Sequence, residues 1–338
     1  MSTAENDTKA QAAAILEQQL EATYPNFDAD MRRSLASMGA SIATRKPEEA
    51  AEVKATPEKL PAAAKILQFP LPFGDDTRAS SNVMARCALF APVNERAHFK
   101  DYAVVGNVDG YLIEWKGEQL NQDDHDTLLQ LIKMALHKPF GVDVVQSVNA
   151  VLKGLGRQTR QTQRQQFFRE VDRLMSGTIR VTPKGGASYG GHLINDIVTP
   201  QDQQTEPQFK RFFSYQLNPK LAKHYENSAY TLIDWQDRVK LKGRGGEFAK
   251  WLQLFIESHA QQYPHRVETI RQLCGSNDKT LKSFRQKLRQ SLDLLKEAGI
   301  IAVWQIDPQS DLVTIERTPS ASQQKHIIKK SNRKPSKT

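Results

Sequence analysis

The chain has 338 residues, 39% of them apolar and 25% charged, with a formal net charge of +9 and a pI near 9.4. That length holds two domains plus tails, and the composition is that of a soluble globular protein with polar additions. The basic balance favours an acidic polymer as partner. Only Cys87 and Cys274 occur, which excludes a disulfide framework, points to a reducing cytosol and makes both thiols small buried hydrophobes; no apolar run approaches the roughly 18 residues of a membrane span.

Residues 1–65 read as a weakly ordered N-terminal arm. They carry helix-compatible stretches near Ala10 to Thr23 and Asp28 to Ile42, then Pro47, Pro57 and Pro61. Residues 1 to 60 hold seven basic and ten acidic side chains, whereas residues 317 to 338 hold seven basic and no acidic ones, which leaves about +5 for the middle. Residues 66–82 form a linker with the peptide Gln68-Phe69-Pro70-Leu71-Pro72-Phe73, and residues 319–338 a disordered basic tail suited to nonspecific DNA binding.

The first predicted domain covers residues 83–226. Strands over Tyr102–Val108 and Tyr111–Trp115 flank Asp109-Gly110, a hairpin signal. Asn121 caps a helix with Leu128, Leu131, Ile132, Ala135 and Leu136 inward. A short helix over Val144–Leu155 closes at Gly156, and Thr159 caps a long one with Phe167, Phe168, Val171, Leu174 and Met175 as its apolar set. Arg157, Arg160 and Arg164 then form an outward stripe. A wing follows, from strand Thr178–Thr182 through the glycine-rich tip at Lys184 to strand His192–Val198. Phe209–Leu217 is one more strand, and Pro219 begins a short connecting helix.

The second predicted domain covers residues 227–318, opening with Ile233–Leu241. A helix from about Gly245 to His259 turns Phe248, Trp251, Leu252, Phe255 and Ile256 to the core. In the following segment Leu281, Phe284, Leu288, Leu292 and Leu295 recur at steps of three and four, while Lys282, Arg285 and Arg289 keep that spacing about 100° away. Gly275 ends the preceding helix, Ser276 or Asn277 caps the next, and Gly299 stops it. Apolar runs on either side of Asp307-Pro308-Gln309-Ser310 make a two-stranded wing. The predicted fold class is α+β, two tandem winged helix-turn-helix domains; the repeat is one of architecture, since the copies share few residues.

Arg and Gln suit base reading in the major groove, because guanidinium pairs bidentately with guanine and an amide with adenine. Base reading therefore falls to Arg160, Gln161, Arg164 and Gln165 in the first domain and to Lys279, Lys282, Ser283 and Gln286 in the second. Arg285, Arg289, Lys287 and Lys184 are candidates for backbone contacts. No phosphate-gripping Gly-x-x-x-x-Gly-Lys-Ser/Thr occurs, and no Cys/His cluster has zinc spacing, so neither enzyme activity, cofactor nor metal is expected. The cluster Asp123, Asp124, His125 and Asp126 is explained by its place in a helix's first turn.

Two stretches resemble the TrfA-type plasmid replication initiators: Ala85-Arg86-Cys87-Ala88-Leu89-Phe90, similar to that family's lead-in strand, and Tyr263-Pro264, Glu268-Thr269, Leu273-Cys274-Gly275-Ser276 and Gly299. The resemblance spans roughly Arg86 to Glu316. It implies binding to direct repeats at a plasmid origin, melting with the host initiator DnaA, recruitment of the replicative helicase, and dimerisation through the first winged helix with the monomer active. Gln68, Leu71 and Phe73 fit the form of peptides that dock in the bacterial sliding clamp, two apolar anchors beside a hydrogen-bonded amide. The expected setting is the cytoplasm of a bacterial host. A winged-helix repressor acting at its own operator is the alternative.

Overall fold

A computed structural model describes residues 74–138, 141–199 and 212–317, together with Ala10, Gln11, Ala14, Glu17, Gln18, Ala29, Arg33 and Ala36. The chain divides into two units, residues 1–64 and residues 65–338. In the first unit the eight described residues are all helical, and Arg33 lies 3.6 Å from Glu17. The peptide at Gln68, Leu71 and Phe73 and the basic tail fall outside the described residues.

The second unit is α+β and opens on β1 (Thr77–Ser81) and the single-turn α1 (Asn82–Ala85). Asp109 and Gly110, at φ of 53° and 83°, make the two-residue turn between β2 (His98–Val108) and β3 (Tyr111–Glu118). Both central residues are left-handed, the geometry that matches the twist of paired strands. Helix α2 (Gln122–Met134) starts at Asn121, whose side chain and that of Asp124 cap one another's amides. Then come β4 (Val144–Ser147), α3 (Val148–Gly154), α4 (Gln161–Ser176), β5 (Thr178–Pro183) and β6 (Tyr189–Gly191). β7 (Ile194–Val198) and β8 (Phe212–Leu217) precede a 3-10 helix over Pro219–Ser228 and β9 (Tyr230–Asp234). The remainder is α5 (Trp235–Lys240), α6 (Gly246–Glu257), β10 (His265–Arg266), α7 (Val267–Leu273), α8 (Leu281–Glu297), β11 (Val303–Ile306) and β12 (Leu312–Glu316).

Among the described residues there are two apolar cores. One gathers Trp115, Leu128, Phe167, Phe213 and Tyr215; the other gathers Phe248, Trp251, Phe284, Leu288, Leu292 and Leu295. Each such buried side chain contributes about 1.5–3 kcal/mol relative to exposure. The sheets follow the same division: β2-β3-β5-β6 and β4-β8-β7 lie with the first core, β10-β12-β11 with the second. β1 and β9 form a separate antiparallel pair, from Thr77 opposite Asp234 to Ser81 opposite Tyr230.

Several expectations change. The segment proposed as a linker, residues 66–82, supplies β1, which is already paired within the fold. Ala85 to Phe90 is not a strand: it leaves α1 as a turn, with the Ala88 amide on the Val105 carbonyl at 2.8 Å and an isolated bridge from Phe90 to Leu120. Val144–Leu155 divides into a strand and a helix. The run His192–Val198 is not the return strand of the wing: Tyr189–Gly191, just before it, pairs with β5, whereas Ile194–Val198 pairs with β8 in another sheet. Ile233–Leu241 is the end of β9 followed by α5. Arg160, not Thr159, stands at the start of α4, and Thr280, not Ser276 or Asn277, caps α8 by accepting from the Ser283 amide.

The two cores meet at a polar seam. Arg238 of α5 is fully buried and donates to Asp126 at 2.5 Å, to the Gln122 side chain at 2.8 Å and to the Lys250 carbonyl at 2.9 Å. Lys250 of α6 reaches Asp126 at 2.8 Å, Asp123 at 3.4 Å and Glu247 at 3.5 Å. The acidic cluster at the start of α2 is therefore more than a dipole complement: Asp126 is the central anion between two cations. The turn after Ala85 enters this seam, where Trp251 donates its indole N–H to the Cys87 carbonyl at 3.0 Å. Arg86 bonds Ser258 on α6's end and Asp109 at the hairpin tip.

Candidate nucleic-acid interface

The same local device is built twice. Helix α3 ends when the Gly156 amide donates to Lys153 and the Arg157 amide to Leu152; α7 ends when Gly275 donates to Gln272 and Ser276 to Arg271. Gly156 and Gly275 have φ of 66° and 65°, so each turn is the left-handed glycine cap that satisfies two orphan carbonyls and redirects the chain. Each seven-residue helix then passes through a short connector into a long helix, and each long helix passes into a hairpin, β5-β6 in one case and β11-β12 in the other.

On α8 the buried positions are Phe284, Leu288, Ser291, Leu292 and Leu295. Lys282, Gln286, Lys287 and Arg289 are exposed, and Lys279 and Thr280 stand exposed just ahead of the helix. Lys279, Lys282, Gln286 and Arg289 carry no side-chain hydrogen bond or ion pair among the described residues, so they remain available to a ligand. Their neighbours are committed. Arg285 forks onto Asp311 with two contacts of 2.9 Å, which fastens the helix to the hairpin turn. Lys287 lies 2.8 Å from Asp278, and Ser283 donates to the Thr280 carbonyl at 2.9 Å within the cap. Burial works against the charged Asp278, yet the bonds from Lys287, Ser276 and Ser283 bring its carboxyl below the usual range.

On α4 the exposed series is Gln161, Gln165 and Arg169 at steps of four, with Thr162 beside it. Arg160 is exposed at the helix start. Two of the expected contacts do not face outward. Arg157 lies outside the helix and is largely covered; its guanidinium bonds Glu170 at 2.7 Å and lies 3.7 Å from Asp123. Burial works against its charge, but Glu170 outweighs that and raises its pKa. Arg164 is half-buried and donates to Asn149 at 2.8 Å, so it ties α4 to α3. Sequence reasoning missed Arg169, although its spacing from Gln161 and Gln165 was the available signal. Lys184 is exposed at the tip of the β5-β6 hairpin, where Gly186 turns back onto the Pro183 carbonyl. Among the described residues no group of three His, Cys, Asp or Glu side chains has the arrangement to hold a metal.

Residues 216–317 match the TrfA protein family. Over 276 residues, 80% of this chain and 69% of the relative, the sequence is 23% identical to the plasmid replication initiator protein TrfA of Escherichia coli. The segment 216–317 is similar to the TrfA type. The matched segment runs from the end of β8 through the buried Arg238 and Lys250 to β12, and so includes the whole second helix-turn-helix. Domains 2 and 3 of RctB share the fold: the similarity covers 70% of this chain and 98% of that one, at a TM-score of 0.52 and 13% identity. Two consecutive domains of one chain thus share the fold of this unit. Among the described residues no helix is long and apolar enough to cross a membrane.

Proposed function

We propose that the chain is a non-enzymatic plasmid replication initiator that binds direct repeats at its origin through two winged helix-turn-helix units. The observation that carries this reading is the duplicated device: a glycine-capped short helix, a long helix with basic and Gln side chains on its outer face that have no side-chain partner among the described residues, and a hairpin. The kinship with TrfA favours an origin as the target. In this reading α4 and α8 occupy successive major grooves about one helical turn apart, and a monomer lies along one repeat. Melting with DnaA, recruitment of the replicative helicase, dimerisation through the first winged helix and a cytoplasmic bacterial setting all come from the family resemblance.

A footprint of the full chain on the intergenic DNA beside its gene tests the reading. Protection of direct repeats of about 20 base pairs, two turns of duplex, in an AT-rich region supports initiation. A single protected palindrome at a promoter would make the protein a repressor instead, and relaxation of supercoiled origin DNA would make it a nicking enzyme. Deleting residues 68–73 should abolish capture by the sliding clamp and leave repeat binding intact.

A further inference from the structure

The connection between α5 and α6 is Leu241-Lys242-Gly243-Arg244-Gly245, and it lies between the two readers. On one side Lys242, Gly243 and Gly246 line a cavity of about 240 Å³ with Gly156 and Arg157, the turn that leads into α4. On the other side Gly245 packs against α8: its carbonyl accepts from Ser291 Oγ at 2.9 Å, and a Cβ placed on it would lie 3.3 Å from that oxygen. Gly243 and Gly245 have φ of 76° and 87°, a backbone that only glycine adopts without strain. The loop therefore holds a defined shape.

Its charge is left unanswered. Neighbouring cations are paired: Arg238 with Asp126, Lys250 with Asp126, Asp123 and Glu247, Lys240 with Asp237 at 2.7 Å, and Arg157 with Glu170. Lys242 and Arg244 are exposed and hold no ion pair or side-chain hydrogen bond among the described residues. Among the described residues the backbone amides of Gly243, Arg244 and Gly245 donate to no backbone carbonyl, while the turn closes through Lys242 onto Lys240 at 2.9 Å and Gly246 onto Gly243 at 3.0 Å. Two cations and free amides on a pinned loop suit a phosphate, which accepts from both kinds of donor without regard to sequence.

We propose that this loop is a third DNA contact, in which Lys242 and Arg244 hold the sugar-phosphate backbone between the stretches read by α4 and α8. This rests on the initiator reading and adds a spacer-spanning contact to it. The test uses the full chain carrying Lys242→Ala and Arg244→Ala together, titrated with repeat duplex and with a scrambled duplex between 50 and 200 mM salt. Loss of two phosphate contacts should make the slope of log K against log salt shallower by about 1.8, so that the affinity gap to the unmutated chain narrows about 12-fold across that range. Preference for the repeat should not change, Lys242→Arg should bind as the unmutated chain does, and backbone cleavage should lose its protection midway between the two groove contacts. An unchanged slope in a double variant with an unchanged melting temperature overturns the loop contact alone. If the double variant melts early, the single variants Lys242→Gln and Arg244→Gln decide, each expected to make the slope shallower by about 0.9, half the change of the double variant. Failure of the unmutated chain to prefer the repeat overturns the initiator reading and the loop contact together.

Discussion

Lys282 and Arg285 stand three residues apart on α8 yet meet different surroundings. Lys282 is exposed and without a partner among the described residues, so Lys282→Ala should cost about 1–3 kcal/mol of repeat binding if it reads a base, or reduce the salt slope by about one if it meets a phosphate. Unchanged affinity and slope would remove Lys282 from the interface. Arg285 is held in a fork by Asp311, and its effect should pass through the hairpin. Arg285→Ala and Asp311→Asn should each cost about 0.5–1 kcal/mol of stability, and the double variant no more than the larger single change; additive losses measured by urea unfolding would show that the pair does not act as a unit. Gly275 is constrained twice over. Its φ is 65°, and a Cβ there would fall 2.6 Å from the Ala88 side chain, so Gly275→Ala should lower stability by about 1–3 kcal/mol. The contact also joins the two stretches that carry the family resemblance, because Ala88 belongs to one and Gly275 to the other.

Among the elements, α8 and α4 were legible from sequence because their information is local. A step of three or four puts Phe284, Leu288 and Leu292 inward whatever lies opposite, and Asp109-Gly110 makes its turn from its own two residues. Elements defined by distant partners were not legible in this way. Ala85 to Phe90 has the composition of a strand, but its backbone is claimed by Trp251, more than 160 residues later. The Arg157-Arg160-Arg164 series looked like one helical stripe; Glu170 and Asn149 draw two of its members inward, and nothing in the spacing reveals that. The seam between α2, α5 and α6 was also invisible, since Asp126 and Arg238 are 112 residues apart. Asp126→Ala would leave the buried Arg238 without its anion, and guanidinium unfolding should register a loss of about 3–5 kcal/mol. A loss below 1 kcal/mol would mean that water reaches the seam.

For the whole molecule, that seam makes stability respond to pH in two opposite directions. Burial works against charge on Asp126, but Arg238 and Lys250 outweigh it and hold the carboxyl well below its usual range, so its contribution is present at neutral pH and lost on acidification. Burial dominates at Glu247, whose pKa rises from 4.5 to about 7 despite Lys250. At Glu247 the folded state therefore holds more of the proton than the unfolded one between those values, and this group's contribution to stability falls as pH rises through the window. Glu247→Gln should flatten the decline in melting temperature between pH 5 and 7.5. A variant that declines as steeply as the unmutated chain would assign the titration elsewhere.

The β1-β9 pair has a consequence for synthesis. Ser81 must wait for Tyr230, 149 residues downstream, before its strand acquires a partner. At the usual 5–20 residues per second a ribosome leaves that edge open for roughly 7 to 30 seconds. During that interval the nascent chain carries an unpaired strand beside a nearly complete first core, and the arrival of β9 both closes that edge and delivers Trp235 beneath Arg78, whose guanidinium lies 4.8 Å from the ring. Helices α6, α7 and α8 follow β9 in the chain, so the second core leaves the ribosome after both strands of this pair.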